Sequence, residues 1–102
     1  MHSRIAIYTF KPNGVDIVIE QAEKGMLPIF RQHAGFRSYT VVKTEEHTGI
    51  SISVWDSEGQ ALEAVKAASA WVKANVAQYI ESVENHVGTV SFSHRAAQHT
   101  VS

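Results

Sequence analysis

By type, His33 is the residue in this sequence best suited to moving a proton near neutral pH, since an imidazole can take a proton from a phenol in that range. It falls at the end of a helical pattern, where an imidazolium also interacts favourably with the helix dipole and so acts as a cap. Tyr8, Phe30, Tyr39, Trp55 and Tyr79 are aromatic side chains able to line an apolar pocket for a planar substrate, and Trp71 adds an indole N–H donor. Asn75 lies on the exposed side of its helix by spacing and reaches the rim of such a pocket only if the helix bends. No metal site is indicated. His86 and His94 alternate onto one face of the last strand, but eight residues of strand separate them by about 26 Å, too far to share an ion. His2, His47 and His99 fall in the terminus, a turn and the tail, where solvation accounts for them.

The absence of cysteine removes a disulfide framework, a thiolate nucleophile and any cysteine-held zinc or iron–sulfur centre. Nine Lys and Arg against ten Asp and Glu give a net charge of −1 with no basic run, which argues against nucleic acid as a partner. The longest apolar stretches fall far short of the about 20 residues that span a bilayer, and no signal-like segment opens the chain. A cytoplasmic location and no membrane partner are expected.

These residues must be positioned by one domain, because 102 residues leave no room for a second core. Arg4 to Phe10 is rich in β-branched and aromatic residues and ends in the turn formers Lys11-Pro12-Asn13-Gly14, so a strand is expected. Val18, Ala22, Met26 and Phe30 recur every four residues and predict a helix over Val15 to His33. Pro28 has no N–H for the carbonyl of Lys24, which predicts a kink or break between Lys24 and Pro28. Gly35 ends the helix, and Phe36 to Lys43 reads as a second strand leading through a polar turn to a third. In the third, Ile50, Ile52 and Val54 point one way and Ser51, Ser53 and Trp55 the other.

Ser57 and Gln60 have the spacing of a capping box and start a second helix. Its stripe of Leu62, Val65, Ser69, Val72, Val76 and Ile80 is expected on the sheet, with Ala61, Ala64, Ala68 and Trp71 along the flank. A last strand over about Ser82 to His94 completes a β-α-β-β-α-β order, the α+β ferredoxin-like pattern of a four-stranded antiparallel sheet with two helices on one face. Residues 95–102 read as a loose tail. The other sheet face has nothing in the same chain to cover it, so a homodimer is expected.

The segments Leu27 to Tyr39, Ser51 to Ser57 and Ala68 to Asn75 resemble the corresponding parts of antibiotic biosynthesis monooxygenase-like domains of the dimeric α/β barrel superfamily. The resemblance covers Arg4 to His94 and implies a domain over residues 1–94. It also implies that Trp71 faces a cavity between helices and sheet. Haem-degrading relatives use a first-strand asparagine and a histidine about ten residues past the tryptophan; this chain has no Asn in Arg4 to Phe10, and Glu81 in place of the histidine. Quinone-forming relatives carry an asparagine one turn before the tryptophan, where Ala67 and Ala68 stand here.

The resulting expectation is a cofactor-free monooxygenase acting on a small aromatic or quinone-like substrate, with Trp71 and His33 in catalytic roles. Tyr8, Phe30, Tyr39, Trp55, Asn75 and Tyr79 are then the substrate-binding residues. The alternatives are a non-catalytic homodimeric α/β barrel protein that binds a small apolar ligand or is stress-related and, behind it, a haem-degrading monooxygenase.

Overall fold

The computed structural model describes residues 1–96. It has the expected β-α-β-β-α-β order: β1 (His2–Phe10), α1 (Val15–Gln21) continued by a π-helical turn (Ala22–Met26) and α2 (Leu27–Gln32), β2 (Phe36–Glu45), β3 (Thr48–Trp55), α3 (Glu58–Asn75), a 3₁₀ turn (Ala77–Tyr79) and β4 (Ile80–Thr89). The sheet is antiparallel, in the order β2-β3-β1-β4, and the helices lie on one face of it. The tail expected over residues 95–102 lies, from Ala97 on, outside the described residues. So does His99.

The break predicted before Pro28 takes the form of the π turn, and Pro28 sits in the first turn of α2, where its missing N–H does least harm. Val18, Ala22, Met26 and Phe30 stay on one buried stripe through the change of pitch. Gly35 leaves the helix at φ +80°, a left-handed conformation that suits glycine. Ser57 caps α3, its Oγ accepting from the Gln60 N–H at 3.2 Å.

Three expectations change. His2 belongs to β1 and is half-buried, its Nε2 lying 3.3 Å from Thr89 Oγ1, because β1 begins two residues earlier than its apolar pattern suggests. β4 ends at Thr89, so His94, expected on its face, lies beyond the strand. β3 alternates as expected and turns its mixed side inward: Ser51, Ser53 and Trp55 are buried, while Ile50, Ile52 and Val54 face away from the helices. Ser53 is accommodated inside because the Trp55 indole N–H donates to its Oγ at 2.9 Å.

The third change is the rotation of α3. Ala61, Ala64 and Ala68 press on the sheet and Leu62 is 45% exposed. The space beneath α3 is already filled by Phe30 and Trp55, packed edge to face at 5.3 Å, so only methyl groups fit over them. Leu62 therefore marks the wrong face of this helix, while Val72 and Val76 of the same stripe still pack inward.

If α3 is oriented this way, Ala64→Leu overpacks the core and costs about 1–3 kcal/mol, whereas Leu62→Ala, on the exposed side, changes stability by about 0.5 kcal/mol or less. Urea unfolding of the two variants measures both; the reverse order would mean that Leu62 faces the sheet.

Candidate functional site

The inner face of the sheet carries Arg4, Ala6, Tyr8 and Phe10 from β1, paired in register with Asn85, Val83 and Val87 of β4 and with Gly49, Ser51 and Ser53 of β3. Two cavities lie between this surface and α3. The smaller, of about 30 Å³, is lined almost wholly by apolar surface and includes Tyr8, Phe10, Tyr39, Ser51, Trp71 and Val72. The larger, of about 250 Å³, is lined by Arg4, Tyr8, Val83 and Asn85 from the sheet, by Ala68, Ser69, Val72 and Lys73 from α3, and by Ala77. Tyr8 and Val72 belong to both and form the partition between them. A third cavity of about 300 Å³ lies behind Tyr39 and Val41, with Ile19, Glu23 and Leu27.

Trp71 joins the two hydrophobic clusters of the core, one around Phe30 and Trp55 and the other around Phe10 and Val76. Its indole lies against the π turn, so close that a Cβ built on Gly25 would stand 2.7 Å from Nε1. Burial away from water pushes the Tyr39 hydroxyl up from its ordinary value to about 12, with Tyr8 adding to the rise and Arg4 opposing it. Ser51 Oγ is buried beside the small cavity without a hydrogen-bond partner.

Of the residues expected from sequence, the structure brings Trp71, Tyr8 and Tyr39 together. The others lie elsewhere. Phe30 and Trp55 are fully buried in the core, and Tyr79 packs with Phe10 and Val76. Asn75 is exposed, its Nδ2 donating to the Trp71 carbonyl at 2.9 Å. His33 ends α2 with Nδ1 2.9 Å from the Ile29 carbonyl and its ring edge-on to Trp55 at 6.2 Å, and it lines neither cavity beside α3.

Sequence reasoning missed Arg4, Asn85, Ser51 and Lys73. Arg4 had a readable signal: it alternates with Ala6, Tyr8 and Phe10, which places a charge on the buried side of a strand. Among the described residues no group of three or more His, Asp or Glu side chains is arranged to hold a metal, and no helix is long and apolar enough to cross a membrane.

The fold and these cavities define a split β-α-β domain with ligand-sized space between its second helix and its sheet. The family model for antibiotic biosynthesis monooxygenase matches residues 1–77, and the chain belongs to that family. Among solved structures, a Nitrosomonas europaea protein of unknown function superposes with a TM-score of 0.78 at 15% identity, covering 95% of each chain. The Streptomyces coelicolor monooxygenase ActVA-Orf6, in complex with nanaomycin D, superposes at 0.74 with 16% identity, over 94% of this chain and 92% of that one. SnoaB, a cofactor-independent oxygenase from Streptomyces nogalater, gives 0.67 at 14% identity, over 90% and 94%. Identities this low show the shared fold alone. No curated protein matches the chain.

The Tyr39 shift makes a pH prediction. The folded value lies above the unfolded one, so the protonated phenol favours the native state; this contribution is complete below pH 10 and is lost as pH rises from 10 towards 12. The unfolding free energy measured across that interval is expected to fall more steeply for the parent than for Tyr39→Phe. Parallel curves would show that Tyr39 ionises as freely as in the unfolded chain.

Proposed function

We propose that this protein is a cofactor-independent monooxygenase that oxidises a small aromatic or quinone-like substrate, acting as a homodimer in the cytoplasm. The observation that carries the reading is the pair of adjoining cavities. The larger has room for a single aromatic ring system. The smaller holds one diatomic-sized molecule and offers few polar partners, whereas a buried water needs two to four. It suits dioxygen, held beside the ring across the partition of Tyr8 and Val72.

The chemistry needs no resident redox group. An anthrone loses a proton from its CH₂ carbon to water at the mouth of the larger cavity, and the resulting carbanion passes an electron to dioxygen. The two radicals combine to a peroxide at carbon, and loss of water leaves a carbonyl, so that CH₂ and O₂ give C=O and H₂O. Tyr8 OH accepts from Arg4 Nη2 at 3.3 Å, which polarises the phenol and leaves its proton to bond the developing substrate oxyanion. Trp71 is the wall that fixes the small cavity's size. This reading assigns no step to His33.

A second reading, a non-catalytic dimer holding a small apolar ligand, is favoured by one fact: among the described residues no histidine or carboxylate lines either cavity beside α3. Oxygen uptake with dithranol, in the presence of a chelator and with no flavin added, separates the two. The oxygenase consumes one dioxygen per quinone formed, and Tyr8→Phe slows it about 100-fold by removing an oxyanion donor. Uptake no faster than autoxidation leaves the second reading.

The dimer rests on the outer sheet face, where Ile5 and Ile7 are 37% and 38% exposed and lie across from Ile52 and Ile50. Val42, 43% exposed, extends the patch on β2, and a contiguous apolar face of this kind is what a partner surface covers. Light scattering is expected to give twice 11.3 kDa for the parent and the single mass for Ile52→Lys. A parent monomer at micromolar concentration would refute the dimer.

A further inference from the structure

Arg4 is 2% exposed, yet among the described residues no carboxylate pairs with it. Its Nε and Nη2 both donate to Asn85 Oδ1, at 3.1 and 2.8 Å, and Nη2 also donates to Tyr8 OH. Both acceptors are neutral. A guanidinium has five N–H donors, and among the described residues no hydrogen bond engages the two on Nη1. Arg4 also takes part in none of the ion pairs formed by the described residues. A charge removed from water and left unpaired is costly, and a chain that keeps one in such a place holds it ready for an anion.

The surroundings say which kind of anion. Arg4, Asn85 and Tyr8 all line the larger cavity, and because Arg4 is buried it belongs to the inner wall, while the exposed Lys73 and Ser69 stand at the mouth. Val72, Val83 and Ala68 supply apolar surface between the two cations. Among the described residues no acidic side chain lines this cavity. The third cavity, behind Tyr39, carries Glu23 and, among the described residues, no cation, so an anion is directed to the Arg4 side.

We propose that the larger cavity is a carboxylate-binding site, whose ligand is a small aromatic acid anchored through Arg4 Nη1, with Lys73 drawing it in at the mouth. This deepens the oxygenase reading, on which it rests only for taking the cavity as the substrate's place. The guanidinium fork matches a carboxylate in geometry, and its two remaining N–H groups give direction as well as attraction.

The test compares salicylate with salicylamide, a neutral analogue of nearly the same shape, by calorimetric titration of the full chain. The parent is expected to bind salicylate at least about tenfold more tightly, the scale of one charge-assisted contact in a desolvated site. Lys73→Gln should narrow the preference about two- to threefold, as a rim charge does. Arg4→Met should abolish it. Asn85→Asp is the second variant: it gives Arg4 a carboxylate from within the chain at almost unchanged volume, so it should also abolish the preference while raising the thermal midpoint.

Equal affinity of the parent for the two ligands, no binding of salicylate at millimolar concentration, or a preference that survives in Asn85→Asp would each overturn the proposal. Dithranol oxidation on the same preparations keeps the two readings apart. Salicylate preference without oxygen uptake leaves the anion site and removes the oxygenase; uptake without the preference does the reverse.

Discussion

The contact between the Trp71 indole and the backbone of Gly25 is the constraint on which the rest of the molecule turns. It brings the π turn of the first helical segment down onto α3 and lets one side chain belong to both hydrophobic clusters. Without a glycine there, the indole could not lie flat against that turn, and the two clusters would lose their common member. The π turn itself follows from Pro28, which cannot give the carbonyl of Lys24 its hydrogen bond. A single missing N–H therefore sets the pitch of the helix, the pitch presents the glycine, and the glycine admits the tryptophan that closes the small cavity.

A second consequence is the choice of small residues around that tryptophan. Ala61, Ala64 and Ala68 on the helix meet a strand whose inward positions are Gly49, Ser51, Ser53 and Trp55. Bulk is thus concentrated in a few aromatic rings, and close approach of the backbones is left to the small side chains. Packing of this kind leaves short gaps between rings instead of one open chamber. Hence the space under α3 is divided by Tyr8 and Val72 into a narrow dry cavity and a wider one edged with polar groups.

Element order was legible in the sequence because each element carries its own signal: the four-residue period from Val18 to Phe30, the turn formers after Phe10, Ser57 as a cap. Which way α3 and β3 face was not legible by the same means. Hydrophobicity assigns the larger apolar residue to the interior, and here Leu62 and Ile52 yield that place to Ala64 and Ser53 because Trp55 and Phe30 have already filled the volume. The site suffered likewise. Aromatic content named Tyr8, Tyr39 and Trp71 alongside Phe30 and Trp55, which are the same residue types with a different task, and only their mutual contacts tell them apart. Asn85 and Arg4 are 81 residues apart in sequence and meet only through the pairing of the first and last strands.

The electrostatics of the interior then follow from where Arg4 had to go. Position four faces inward by the alternation of β1, so its side chain must find partners among groups the sheet already presents. Asn85, two residues from Arg4's register partner Val87 on the same face, meets it with a carbonyl oxygen and not with a charge. The guanidinium accordingly keeps its positive field inside the protein. That field acts on Tyr39, where it works against the desolvation that raises the hydroxyl, and it holds the Tyr8 oxygen as an acceptor. Two phenols and an indole thus border the small cavity under the influence of one guanidinium, which among the described residues is met by an amide and a phenol and by no carboxylate.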